Sequence, residues 1–83
     1  MDRRVGVIGI MVENREEASR RINTILTEYG EIVVGRMGIP YRERNLSIIS
    51  LIVDGSTDEI GAMTGKLGAL QGVKVKTVLL TKN

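Results

Sequence analysis

The chain has 83 residues, so we expect residues 1–83 to form a single small domain. Apolar residues make up 42% and charged residues 27%, as in an ordinary globular protein, and a net charge of +2 is too small to indicate a polyanionic partner. Histidine and cysteine are absent, which excludes disulfides, thiol nucleophiles, and imidazole or thiolate metal sites. No apolar run approaches the length of a membrane span. We therefore expect a cytoplasmic protein with no metal site and no cofactor.

The first half of the chain predicts a strand followed by a helix. Residues 4–12 are apolar at both odd and even positions, which is typical of a strand buried on both faces. Asn14 is a suitable N-cap for the helix, and Glu17 completes a capping box. One buried helical stripe is predicted: Ala18, Ile22, Ile25, Leu26 and Tyr29. Gly30 is expected to end this helix as its C′ residue.

The rest of the chain predicts three strands and a second helix. A second strand is predicted over residues 31–37, and residues 38–45, which include Pro40, are predicted to be a long hairpin loop. The third strand, residues 46–53, is again apolar at both parities and is expected to end in a turn over residues 54–56. Ser56 and Glu59 form a second capping box, and the helix that follows is expected to end at Gly72. Its apolar stripe is Ile60, Met63, Leu67 and Leu70, and a last strand is predicted over residues 73–81.

The two halves of the chain repeat. The interval from Asn14 to Ser56 equals that from Gly30 to Gly72, 42 positions. Two such units joined by a hairpin predict an α+β, ferredoxin-like βαββαβ fold, with a four-stranded antiparallel sheet in the order 4-1-3-2 and both helices on one face. The first and third strands would then be central, which agrees with their apolar character on both faces.

This fold leaves one face of the sheet uncovered by helices. A bare surface of Ile, Val and Leu side chains is rare on monomers. We therefore expect a homodimer, or a dimer of dimers, with the open sheet face or an edge strand in the interface. The alternative is that the long hairpin loop folds over that face.

Two groups of residues are candidates for a ligand site. Gly61, Gly65 and Gly68 recur along one side of the second helix, where each glycine costs roughly 1 kcal/mol relative to alanine. Either the helix packs tightly against another backbone, in the fold or in an oligomer, or a ligand reaches it. On and beside the hairpin, Arg36, Tyr41, Arg42 and Arg44 could bind a carboxylate or phosphate, or could simply be solvated.

The residues do not favour catalysis, and we expect the protein not to be an enzyme. The small acylphosphatases share the predicted architecture and use an arginine in a glycine-containing loop after the first strand, with an asparagine on a neighbouring strand. Glu13, Asn14 and Arg15 offer some of these residue types without that glycine-containing motif, and the glutamates would repel a phosphate. Nucleic-acid binding is not expected either, because there is no helix-turn-helix and no Phe or Trp for stacking on bases.

The sequence resembles the regulators of the iron-only hydrogenase system, and is close to a thermophilic bacterial member. The resemblance rests on RVGVIGIMVENR at residues 4–15, Tyr29-Gly30 at the helix end, residues 32–40, and residues 48–54. It implies an ACT-like version of the ferredoxin-like fold and a regulatory role. This family is also similar to the ligand-sensing domain of the nickel-responsive repressor.

Two differences limit what the resemblance implies. Amino-acid-binding ACT domains usually have a glycine at the turn into the first helix, where this chain has Arg15-Glu16-Glu17. The nickel repressor uses His and Cys ligands, which this chain lacks, so metal sensing by that mechanism is excluded. The leading hypothesis is a small self-associating regulatory module that senses a small-molecule effector or docks on another protein. The alternative is a structural or accessory protein for hydrogenase maturation that binds a maturation protein and no ligand.

The candidate ligand-binding residues are collected from these patterns. They are Glu13, Asn14, Arg15, Arg36, Tyr41, Arg42, Gly61 and Gly65.

Overall fold

Seven elements follow one another in the computed structural model, which describes residues 3–13 and 16–82. They are β1 (Arg3–Glu13), α1 (Glu16–Glu28), β2 (Val33–Tyr41), a 3-10 turn (Arg42–Arg44), β3 (Leu46–Ser56), α2 (Thr57–Gly68) and β4 (Val73–Leu79). The predicted N-cap Asn14 and its neighbour Arg15 lie outside the described residues. The capping of α1 therefore stays a prediction.

The four strands form one antiparallel sheet in the order β2-β3-β1-β4. This is the predicted order 4-1-3-2 read from the other edge, so the ferredoxin-like prediction is confirmed. The central strands pair along their whole length, with Ile8 opposite Leu51 and Ile10 opposite Ile49. Because opposite residues in an antiparallel pair lie on the same face, this register determines which side chains meet the helices.

Both helices cover the same face of the sheet. The strand residues that are buried there alternate along β1 and β3, as period-two geometry requires. The core consists of Ile8, Ile10, Val12, Ala18, Ile22, Leu26, Ile32, Leu51, Val53, Ile60, Met63, Leu67 and Val73. Ala18, Ile22 and Leu26 belong to the predicted stripe of α1, whereas Ile25 and Tyr29 are only partly buried.

The prediction of a long hairpin loop over residues 38–45 is wrong. β2 continues to Tyr41, with Gly38 opposite Ile49 and Tyr41 opposite Leu46, and only a 3-10 turn and Asn45 separate it from β3. Pro40 is tolerated because β2 is an edge strand, where a missing N–H need not break the ladder. The hairpin therefore extends the sheet, and the alternative in which it folds over the open face is also wrong.

Two predicted boundaries around α2 differ from the structure. β3 runs through residues 54–56, because Ser56 has extended φ and ψ (−69° and 157°) while its side chain already caps α2. That capping box is confirmed, with the Glu59 N–H 3.0 Å from Ser56 Oγ and the Ser56 N–H 3.0 Å from Glu59 Oε1. α2 ends at Gly68, four residues before Gly72, which has a φ of +80° in the turn into β4.

Gly30 lies at the predicted C′ position, two residues after the end of α1, but its φ is not positive. α1 ends at Glu28, and a tighter hydrogen bond follows, from the Gly30 N–H to the Thr27 carbonyl at 3.2 Å. Such i→i−3 bonds satisfy the last carbonyls of a helix without a positive φ. Two strands also differ slightly in length from the predictions, since β1 gains a residue at each end and β4 ends at Leu79.

Candidate functional site

The face of the sheet opposite the helices is apolar at its centre. On β3, Ile48 is 43% exposed and Ile52 is 48% exposed, whereas Leu51 between them is fully buried. Ile39 of β2 and Met11 of β1 lie on either side of Ile48, in one row across three strands. Within the described residues nothing covers this surface, which we name the open face. Its apolar members are Val5, Val7, Met11, Met37, Ile39, Tyr41, Leu46, Ile48, Ile52 and Val78.

Charged side chains lie at the margin of the open face and not at its centre. Lys74 and Lys76 are on the outer strand β4, opposite Met11 and Gly9. Asp54 lies near one end of β3, where its carboxylate is 3.2 Å from the Arg3 guanidinium. An apolar centre with a polar rim is the usual organisation of a protein–protein interface.

A groove of about 200 Å³ lies between α1 and the β2–β3 hairpin. Its floor is apolar and includes Val12 and Ile22, and Ser19 and Ser47 supply hydroxyl groups at its walls. The Arg36 side chain is on the helix side of β2 and donates a hydrogen bond from Nη2 to Asn23 Oδ1 at 3.2 Å. A guanidinium above an apolar floor can bind a carboxylate or phosphate.

A second groove, of about 660 Å³, lies between α2 and the outer edge of β4. A methyl group built on Gly61, Gly65 or Gly68 would have no neighbouring atom within 4 Å. The interpretation that these glycines allow tight packing within the fold is therefore wrong. They leave space along one side of α2, and Val75 and Thr77 of β4 form the opposite side of the groove.

The six predicted site residues that the structure describes do not form a single site. Arg36 lines the groove beside α1, whereas Gly61 and Gly65 line the groove beside α2. Tyr41 is exposed at the end of β2, on the open face, and Arg42 starts the 3-10 turn next to it.

Glu13, another predicted site residue, is the last residue of β1. The Glu13 N–H donates a hydrogen bond to the Gly72 carbonyl at 2.8 Å, so this residue joins β1 to the turn before β4. Asn14 and Arg15 lie outside the described residues, and their role in a site stays a prediction.

Two polar contacts were missed by the sequence patterns. Asn23 is the partner of Arg36 across 13 positions of sequence, and no local motif indicates that pairing. Lys66 of α2 contacts Glu28 at 3.0 Å and lies 5.1 Å from the centre of the Tyr29 ring. The hydrogen bond to Glu28, with a smaller contribution from Tyr29, raises the pKa of Lys66. This contact joins the ends of the two helices.

The described residues show neither a metal cluster nor a membrane-spanning helix. Within 3–13 and 16–82, no three His, Cys, Asp or Glu side chains are grouped so that they could hold a metal ion. Neither helix in these ranges is long and apolar enough to cross a membrane.

Residues 4–77 match the model of the TM1266-like family, which carries the provisional description of an iron-only hydrogenase system regulator. The chain belongs to this family. Protein TM1266 from Thermotoga maritima, whose structure is described as that of an uncharacterized protein, is 44% identical to the chain. The match covers 96% of this chain and 100% of TM1266, with a TM-score of 0.94. The predicted resemblance to this family and to a thermophilic member is confirmed.

More distant structures share the fold of this family member. The ACT domain of a GTP pyrophosphokinase from Chlorobium tepidum has a TM-score of 0.77 at 17% identity, over 92% of this chain and 99% of that one. The regulatory subunit of aspartate kinase from Thermus flavus has a TM-score of 0.63 at 17% identity, over 92% of this chain and 52% of that one. These likenesses confirm the ACT-like fold. No protein among those with curated descriptions matches the chain.

Proposed function

We propose that this chain is a non-catalytic regulatory module that self-associates through its open face and senses a small anionic molecule. The observation that carries the proposal is the uncovered apolar centre of that face. Family membership supports a regulatory role in the iron-only hydrogenase system. We further propose that it acts in the cytoplasm, which agrees with the absence of cysteine, and through a protein partner, such as a hydrogenase-maturation protein, and not on nucleic acid directly.

Physical reasons favour a second copy of the chain on the open face. Burial of apolar surface contributes about 25 cal/mol per Å², and a standard interface buries about 800 Å² on each partner. Around a two-fold axis the same patch faces itself, so an apolar centre meets an apolar centre and the lysines and carboxylates remain at the rim. Ile48 and Ile52 lie near the middle of the patch, so their side chains would be the most completely buried in such an interface.

The groove beside α1 supports ligand binding over catalysis. The polar side chains that line it are the Arg36 guanidinium, the Asn23 amide and two serine hydroxyls. None of these is a proton acceptor near neutral pH or a metal ligand of the usual kind. They can orient an anion, and a groove of about 200 Å³ suits a small molecule.

Self-association is tested by placing a charge on the open face. We expect light scattering to show a dimer or tetramer for the wild-type chain and a monomer for Ile52→Glu, because an unpaired carboxylate in an apolar interface is strongly unfavourable. Ala62→Glu is the matched control, since Ala62 is exposed on the helix side of the molecule. A wild-type chain that is monomeric at about 10 μM would contradict this part of the proposal.

Ligand sensing is tested by a thermal-shift screen of amino acids, nucleotides and small carboxylates. A ligand at 100 times its Kd stabilises the folded chain by about 2.7 kcal/mol, which is readily measured. We expect Arg36→Ala to lose the shift and Arg42→Ala, at the hairpin tip, to keep it. A screen without any ligand, together with co-purification of a maturation protein, would favour the accessory role instead.

A further inference from the structure

The two edges of the sheet differ in how well they are protected. β2 is interrupted by a bulge at Val34 and by Pro40, both of which hinder pairing with another strand. β4 has no proline and pairs with β1 in an unbroken register over its seven residues. On its other side β4 pairs with no strand of the described residues. β4 therefore presents a regular edge on which another strand can add.

The register shows which backbone groups of β4 point outwards. The Leu80 N–H bonds to the Val5 carbonyl and the Glu13 N–H bonds to the Gly72 carbonyl, each at 2.8 Å. Hydrogen-bonded residues alternate in an antiparallel ladder, so the even-numbered residues of β4 bond to β1. The N–H and C=O groups of Val75 and Thr77 face away from the sheet, and no described residue forms a hydrogen bond with them.

The groove beside this edge has room for a second backbone. Gly61, Gly65 and Gly68 of α2 have no side chains that would fill the space, and a methyl group on any of them would meet no atom within 4 Å. A strand added to β4 would therefore have its helix-side residues beneath the glycine face of α2. Small or short apolar side chains fit best at those positions.

The charges along β4 indicate what kind of strand fits. Lys74 and Lys76 point to the open-face side, and neither forms an ion pair with any residue in the described ranges. Two copies of β4 paired about Val75 would place each lysine directly opposite a lysine, which is destabilising. Acidic side chains at the same positions of an added strand would be favourable. In that register the edge is complementary to an acidic strand and not to itself.

We propose that the groove between α2 and β4 binds an extended acidic peptide segment of a partner protein, which adds to the sheet as a fifth strand. The peptide alternates acidic residues, opposite Lys74 and Lys76, with small apolar residues, opposite Val75 and Thr77. Main-chain hydrogen bonds supply affinity and the alternating side chains supply specificity, as in other cases of strand addition. This proposal does not depend on self-association, because the groove lies at the sheet edge on the helix side.

The first test uses a synthetic seven-residue peptide with the order Glu-Ala-Glu-Val-Glu-Ala-Glu, capped at both ends and fluorescently labelled. We expect anisotropy to show saturable binding to the full chain that weakens as salt is raised. In an antiparallel addition the Ala and Val N–H groups face β4. N-methylation of those residues should therefore abolish binding, whereas N-methylation of the Glu residues should leave it nearly unchanged.

The second test changes the protein. Thr77→Pro removes an outward N–H without removing a bond to β1, so we expect a folded chain whose affinity for the peptide falls by about tenfold or more. The double variant Lys74→Glu with Lys76→Glu should bind the glutamate peptide about tenfold more weakly than the wild-type chain does. It should instead prefer the same peptide with lysine in place of glutamate. Lys82→Glu, beyond the end of β4, is the control for reversing the charge of a lysine outside the groove. Circular dichroism checks that every variant is folded.

Several results would overturn the proposal. One is no binding of the peptide at millimolar concentration. A second is equal binding of the glutamate and lysine peptides to the wild-type chain. A third is binding that neither N-methylation of Ala and Val nor Thr77→Pro affects. If Thr77→Pro instead dissociates a wild-type oligomer, the edge is occupied by a second copy of the chain and the peptide proposal is wrong.

Discussion

Leu51 and Ile52 are adjacent residues of similar size on β3, yet they lie in opposite environments. Leu51 points to the helices and is fully buried, whereas Ile52 points to the open face and is 48% exposed. The difference shows that an apolar strand of this chain contains two distinct surfaces. One surface is buried within the chain, and the other is the surface that we propose a second molecule covers. Four predictions test the difference between the helix-covered face and the open face. They are given in order of decreasing expected effect.

The first prediction compares truncations on the two faces. We expect Leu51→Ala to lower the free energy of unfolding by about 2–5 kcal/mol, because it leaves a cavity among residues that cannot collapse onto it. Ile52→Ala should cost only about 1 kcal/mol in a dilute sample. Denaturant unfolding at several protein concentrations measures both. The cost of Ile52→Ala should grow with protein concentration and that of Leu51→Ala should not. Equal costs at all concentrations would remove the distinction between the faces.

The second prediction uses two glycines of β1. A methyl group at Gly6, on the helix side, would lie 2.7 Å from the Val78 carbonyl oxygen, a backbone atom that cannot move freely. Gly6→Ala should therefore destabilise the chain by about 1–3 kcal/mol. Gly9 is on the open face and has no atom within 4 Å of such a methyl group. Gly9→Ala should leave the unfolding midpoint of a dilute sample nearly unchanged, and a large loss there would indicate contacts that the single chain does not show.

The third prediction weakens the helix that covers one face without changing the sheet. Ser56→Ala removes the side-chain acceptor for the Glu59 N–H at the start of α2. We expect a loss of about 1 kcal/mol in thermal or denaturant unfolding. Ser56→Asp should retain most of the stability, since aspartate is also a good N-cap. Because the open face has no part in this contact, neither variant should change the oligomeric state.

The fourth prediction concerns the carboxylate of Glu59 in the same capping box and has the smallest expected effect. Hydrogen bonds from the Ser56 backbone and side chain lower the pKa of Glu59 from its ordinary value of 4.5. A carboxylate whose pKa is lowered by folding stabilises the native state above its unfolded-state pKa and loses that contribution as the pH falls through the folded-state value. The stability difference between wild type and Glu59→Gln should therefore be largest near pH 7 and should shrink below about pH 4. A pH-independent difference would contradict the hydrogen-bonded carboxylate.

Much of the fold could be predicted because its signals are local. The capping box of Ser56 and Glu59 identified the start of α2, and the 42-residue repeat indicated two βαβ units. The end of β2 could not be predicted in this way. Its last residues include Gly38 and Pro40, which are turn-forming by type, and they are held in a strand by pairing with Ile49 and Ser47 of β3. Tertiary pairing overrode local preference there.

The candidate sites were less predictable than the fold. Arg36 was singled out from the sequence, but its hydrogen-bonding partner Asn23 lies on another element and shows no local signal. The glycines of α2 were noticed, yet only the structure shows that they face empty space beside a free strand edge. A groove is a property of two elements together, so neither element's sequence reveals it.

The sequence by itself determined the buried stripes of the helices, the capping box at the start of α2 and the βαββαβ order of the elements. These features depend mainly on residues close to one another in the chain. The tertiary structure alone decided which parity of β1 and β3 faces the helices. Both parities are apolar, and a register shift of one residue would exchange the two faces. The antiparallel register, with Ile8 opposite Leu51 and Val7 opposite Ile52, settles that choice. It thereby leaves Ile48 and Ile52 on the surface that a second molecule is proposed to cover.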